Sequence, residues 1–172
     1  MSDNLNPSVR RSTNAQEVFS PEENSPPMNE YLTDISGDDA DADYCVMRCV
    51  MPAGAVVPMH SHADRETFYV LSGTIEGLRE DHWEELGPGD VFDVRDGAKH
   101  AWRNSSQVAA MMICVTTTRM ARFLQDISAA DASLEDQALR FLKLVQANGY
   151  WLASPEENAA IGLDVNWGAS HN

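Results

Sequence analysis

GAVVPMHSHADRETFYVLSG, residues 54 to 73, holds two histidines two positions apart, His60 and His62, and a glutamate, Glu66, four further on. On an extended chain residues i and i+2 point to the same side, so the two imidazoles project into one volume. A short turn through Ala63-Asp64-Arg65 lets Glu66 open the next strand and face that same volume. Two nitrogens and a carboxylate converging at close range make a transition-metal site. The remaining chain either supplies a fourth ligand or leaves the site with three.

Outward from this stretch the chain reads as short strands punctuated by turns. Tyr44–Met51 is apolar except for Arg48, and Cys45, Met47, Cys49 and Met51 share one face at period two, the pattern of plain core. Strands follow over Thr67–Leu71, Thr74–Leu78 and Trp83–Leu86, with a polar turn at Arg79-Glu80-Asp81-His82. Gly87-Pro88-Gly89-Asp90 is a strong turn signal before Val91–Val94, and Val108–Thr117 is a long apolar strand. No helical period occurs from 44 to 117, which predicts an all-β barrel or sandwich over residues 29–117. The tail changes period. Met120, Phe123, Leu124 and Ile127 recur at helical spacing. So do Leu134, Ala138, Phe141, Leu142 and Val145, with Asp131 or Ser133 as N-cap and Asn148-Gly149 as the stop. Tyr150-Trp151-Leu152 forms an apolar anchor, and Ser154-Pro155-Glu156-Glu157 is a capping box opening a short helix through Ile161. Residues 118–172 are thus a helical extension of the same domain, packed outside the β body or across its mouth.

Residues 1–28 are rich in Asn, Ser and Pro and read as a flexible arm, with one weak helix start at Ser20-Pro21-Glu22-Glu23. Five aspartates between 34 and 43 read as a solvated loop, without EF-hand spacing. The whole chain, 172 residues with 43% hydrophobic, suits one domain and excludes wholesale disorder. It has no apolar run near transmembrane length and no secretory h-region. Three cysteines, Cys45, Cys49 and Cys114, lack CxxC spacing and read as reduced thiols, which places the chain in the cytoplasm. A net charge of −15, about half of it in the first 43 residues, argues against nucleic acid and anionic membranes as partners.

His100 is the candidate fourth ligand, on a strand where it shares a face with Trp102. At this point the residues spell a family pattern. Gly54, five residues, His60-Ser61-His62, three residues, Glu66, six residues and Gly73 resemble the first cupin motif at every defined position. Gly89, five residues, Arg95, one residue, Gly97, two residues, His100, three residues and Asn104 resemble the second, except that Arg95 stands where the family has proline. The resemblance implies a cupin jelly-roll β-barrel with one divalent metal (Fe, Ni, Mn, Cu, Co or Zn) held by His60, His62, Glu66 and His100. His82, in a charged turn, and His171, at the terminus, read as solvated. More loosely, Phe123-Leu124, Phe141-Leu142, Gly149-Tyr150-Trp151 and Ser154-Pro155 resemble the helical tail of single-domain cupins related to quercetin 2,3-dioxygenase.

What this implies is a dioxygenase or related oxidoreductase on a small oxygenated substrate, flavonol-like or otherwise aromatic, that chelates the metal. Glu66 is then both ligand and general base, and Met59, Phe68 and Trp102 are the candidates to line its pocket. Arg65 and Arg95 read as surface residues. The alternatives are a Lewis-acid isomerase, lyase or decarboxylase, and a non-catalytic small-molecule-binding barrel; fold does not separate them. The resemblance also implies a homodimer, with Val108–Val115 and Tyr150-Trp151 as candidate contacts.

Overall fold

Ten strands and three helices account for the regular structure in the computed structural model, which describes residues 27–33, 35, 44–95, 97–128 and 134–165, the side chains of 134–138 excepted. The helix start at 20–23, most of the arm, the aspartates of 34–43, the caps at 131 and 133 and His171 lie outside the described residues.

The strands are β1 (Met28–Tyr31), β2 (Cys45–Met51), β3 (Val56–Ser61), β4 (Glu66–Ser72), β5 (Ile75–Arg79), β6 (His82–Leu86), β7 (Val91–Val94), β8 (His100–Arg103), β9 (Ala110–Thr116) and β10 (Trp151–Leu152). They form two five-stranded antiparallel sheets, ordered β1-β2-β9-β4-β7 and β10-β3-β8-β5-β6. The sheets face each other as a jelly roll without closing into one hydrogen-bonded cylinder. Alternation puts Cys45, Met47 and Cys49 inside, as their period-two spacing predicts. Between the sheets Trp102 packs against Phe68 and Phe92, each ring centroid 4.8 Å away. Such aromatic pairs add about 0.5–1.5 kcal/mol each beyond their buried area.

Two strands go beyond the sequence reading. β1 pairs with β2 over Met28↔Val50 to Tyr31↔Met47 and extends the first sheet. β10 adds Trp151 and Leu152 to the edge of β3, so the expected anchor enters the second sheet as its edge strand. Gly73 turns the chain between β4 and β5 with φ +73°; a Cβ there would stand 2.7 Å from the Ala109 carbonyl oxygen, and only glycine fits.

The helices divide between two places. α1 (Thr118–Ser128) and α2 (Leu134–Ala147) pack through Met120, Phe123 and Val145, with Tyr150 and Leu152 against them, across one mouth of the β body. α3 (Pro155–Ala160) lies on the outer face of the second sheet, where Leu163 and Ala153 join Met59, Leu78 and Ala101. Its capping box forms as expected: Ser154 Oγ accepts from the Glu157 N–H, and Glu157 Oε2 accepts from the Ser154 N–H.

Candidate metal centre

Pro58 shapes the first ligand strand. It has no N–H for the β3–β8 ladder, and the pairing shifts between Val57↔Trp102 and His60↔His100. The resulting register sets His60 opposite His100, with ring centroids 4.1 Å apart. His62 follows the last residue of β3, its ring 5.5 Å from His60 and 5.0 Å from His100. One ring nitrogen from each of the three lies within 4.8 Å of the others. Glu66, first residue of β4, faces them from the opposite sheet, and its Oε2 lies 3.4 Å from Nε2 of both His62 and His100.

Each Nδ1 meets a main-chain carbonyl: Pro58 at 2.7 Å for His60, Asp64 at 2.9 Å for His62 and Ala98 at 2.9 Å for His100. A carbonyl only accepts, so each Nδ1 carries a proton and, in the neutral ring, each Nε2 carries a lone pair. Nε2 of His62 and of His100 is buried without a hydrogen-bond partner. The 3.4 Å spacing to Glu66 is long for a hydrogen bond, and lone pairs facing a carboxylate repel unless a cation lies among them. Burial, and His100 beside it, push His60 down to about 3, so this ring is neutral at ordinary pH. Burial would raise the Glu66 carboxyl, but His100 and His62 outweigh it and hold the group at about 2. Burial likewise disfavours a charged His62, and Glu66 reverses that, so His62 is raised. Imidazole nitrogens with a carboxylate suit Fe, Ni, Mn, Cu, Co or Zn, and Nδ1–H bonded outward to a carbonyl is the usual support of a metal-bound histidine. The three histidines are placed to hold a metal ion, and the residues present fit one.

Residues 47–116 match the sequence profile described as a cupin domain. The chain carries a cupin domain. No curated protein matches it in sequence. Among solved structures, the polyketide cyclase RemF from Streptomyces resistomycificus is similar at 18% identity, over 64% of this chain and 80% of that one, with a TM-score of 0.51. A double-stranded β-helix protein from Klebsiella pneumoniae is similar at 20% identity, over 58% and 84%, with a TM-score of 0.48. The DMSP lyase DddQ from Ruegeria pomeroyi is 29% identical over 53% of this chain and 46% of its own, with a TM-score of 0.46. The likeness to RemF is one of fold alone.

His60, His62 and Glu66 border a cavity of about 160 Å³ between the sheets and under α1 and α2, with His100 behind them. Phe68 and Trp102 line it; Met59 does not. Met59 neighbours His60, so strand alternation turns it to the far face, where it packs with Leu78 and Leu163. Cys49 and Cys114 also line the cavity, and Cys49 together with burial pushes the Cys114 thiol well up, so it stays a protonated wall group. Arg65 and Arg95 both pair with Asp93 at the surface. His82 is exposed, as expected. Arg95, in the place of the family's proline, still closes the turn: its carbonyl accepts from the Ala98 N–H at 2.9 Å, with Gly97 at φ +72°. Asn104 is buried, its amide nitrogen bonded to the carbonyls of Met51 and Val108.

Sequence reasoning missed what holds the turn between His62 and Glu66. The Asp64 carboxylate, 3% exposed, accepts from Arg119 Nε at 3.0 Å and Nη2 at 2.7 Å, from Tyr150 Oη at 2.7 Å, and from Thr117 Oγ1. Burial works against this carboxylate, and those donors hold it below its ordinary range. Burial and the bond to Asp64 push the Tyr150 phenol up, so it remains a donor. The signal lay in Asp64 itself, a charged residue between two ligands.

Proposed function

We propose that this cupin holds one divalent transition-metal ion through His60, His62, Glu66 and His100. We propose further that it acts as a dioxygenase or related oxidoreductase on a small, apolar ring compound bearing adjacent oxygens. The supporting observation is that His60, His62 and Glu66, with His100 beside them, meet at a chamber with aromatic, Met and Cys walls and no Lys or Arg among the described lining residues. Such a chamber disfavours a substrate with a charged group away from the metal. Bound there, the ion supplies Lewis-acid stabilisation of an oxyanion, and four protein ligands leave two places of an octahedron for small molecules.

The chain's own residues do the rest. Ionised Glu66 is placed to take a substrate hydroxyl proton at Oε2. Phe68 and Trp102 offer ring faces to orient an aromatic substrate. α1 lays Phe123 and Leu124 over the mouth and α2 lays Val145 there, which limits the water that reaches the site. The Tyr150 hydroxyl is committed to Asp64, so Tyr150 presents only its ring. A cavity of this volume compares with one of about 150 Å³ that takes up benzene. One ring fits inside the walls; a three-ring flavonol exceeds this volume.

Oxygen uptake by iron-, nickel- or manganese-loaded protein is the test, against single-ring 1,2-oxygenated aromatics and a flavonol. Uptake with the single-ring compounds is expected, and none across the panel removes the oxidoreductase reading. Equal product formation under argon assigns Lewis-acid isomerase, lyase or decarboxylase chemistry instead. Tight binding without product assigns a binding module. We also propose a homodimer, now through the apolar outer face where Tyr69, Leu71, Val91 and Val115 are exposed; light scattering showing a monomer would exclude it.

A further inference from the structure

We propose that Tyr150 and Arg119 are positioning residues for His62, acting through Asp64; the inference rests on the metal reading above. Asp64 occupies the three-residue turn that joins His62 to Glu66. Its two halves do different things. The main-chain oxygen accepts the Nδ1–H of His62 at 2.9 Å and so fixes the ring's tilt. The carboxylate is buried, and Arg119, Tyr150 and Thr117 saturate it. Holding that carboxylate from outside the turn holds the peptide that orients His62.

The other end of the turn is tied to the same place. Thr116 Oγ1 donates to the carbonyl of Arg65 at 3.0 Å, next to Glu66. Thr117 Oγ1 also accepts from the Met120 N–H at 3.1 Å, so the residue that caps α1 binds Asp64 as well. Tyr150 arrives by a defined route. Gly149 at φ +67° ends α2, with Tyr150 N–H bonded to Val145 and Gly149 N–H to Gln146, the paired bonds of a Schellman ending. This places the Tyr150 ring 5.4 Å from His62 and 4.8 Å from Phe123. The helical tail therefore reaches the ligand shell through one carboxylate.

The rival role is stability alone, and Co²⁺ titration followed by visible absorption separates the two. Tyr150→Phe keeps the ring packing and deletes the hydroxyl. Asp64→Asn keeps the main-chain carbonyl and weakens the carboxylate's partners. Arg119→Lys keeps the charge and loses the two-pronged fork. Glu76→Gln is the control: it breaks a comparable network, Arg103 at 2.6 and 2.9 Å with Ser105, that does not touch the turn. Outer-shell partners of ligating histidines are worth about 10–100-fold in metal affinity. The expected result is a Co²⁺ Kd raised by that order in Tyr150→Phe and Asp64→Asn, less in Arg119→Lys, each with a shifted visible band. Glu76→Gln should keep the wild-type Kd and spectrum even where its melting temperature falls. Wild-type Kd and spectrum in Tyr150→Phe overturn the inference, whatever happens to its melting temperature, and this holds even if Asp64→Asn fails to fold. If the wild type binds no Co²⁺, the metal reading itself has failed and the inference goes with it. If all proteins bind alike, only the inference has failed.

Discussion

At the scale of single residues, His60, His62 and His100 are held alike: each gives its Nδ1 proton to a main-chain carbonyl within two residues of itself and turns Nε2 inward. Side-chain loss at any of them removes one donor while leaving a buried gap. We therefore expect His100→Ala to lower bound metal from about one ion per chain to a small fraction, measured by elemental analysis after gel filtration. Glu66→Gln is different, because an amide oxygen still faces the site while the base is gone. Metal content should fall less than in His100→Ala, while turnover falls by about 10²–10⁴; unchanged turnover would remove Glu66 as the base. His60, His62 and Glu66 were legible as candidates because their spacing is local and strand period brings them to one side, whereas His100, 34 positions beyond Glu66, came in through the second motif of the cupin resemblance. Phe68 and Trp102 follow by the same rule, each two residues beyond a ligand on its strand. Applied to Met59, one residue before His60, that rule points outward, and the structure agrees. Asp64, Arg119 and Tyr150 were not legible as a group, because they lie 55 and 86 positions apart and a tyrosine among Trp and Leu reads as apolar.

Among the elements, β3 and the β4–β5 turn bear most on the site. Pro58 shifts β3 against β8, and that shift aligns His60 with His100. Gly73 lets β4 turn into β5 beside Ala109. Gly73→Ala must adopt a left-handed backbone and also displace a carbonyl, so it should cost more than about 1 kcal/mol, read from urea unfolding. A smaller, cleaner loss is expected at α3: Ser154→Ala removes one half of the capping box, about 0.5–2 kcal/mol. The strands over 44–117 could be read because apolar alternation and Gly/Pro turns mark them. β1 and β10 could not: Met28-Asn29-Glu30-Tyr31 shows no clean alternation, and two residues at 151–152 have no period to show. Both are strands because a neighbouring edge offers them hydrogen bonds, which no local pattern records.

For the whole molecule, stability links to pH and to the ion. Burial opposes the Asp93 carboxylate, but Arg95, Thr67 and Arg65 hold it down, at about 2. A depressed carboxylate contributes its full stability above the unfolded value near ~3.9 and loses it as pH falls through about 2. The stability gap between wild type and Asp93→Asn should therefore be constant near neutrality and shrink below about pH 4, in urea unfolding at stepped pH. Binding an ion only in the folded state adds about 2.7 kcal/mol at a hundredfold excess over Kd. Chelation should lower the melting temperature accordingly, and no change would argue against the cage. The four proposed ligands lie between residues 60 and 100, whereas the Tyr150 latch closes a loop of 86 residues onto Asp64. Contacts so far apart in sequence form late in folding. The chain therefore makes its receptacle first and its roof last: during refolding with Co²⁺ present, the metal's colour should appear before the fluorescence of the roof aromatics settles.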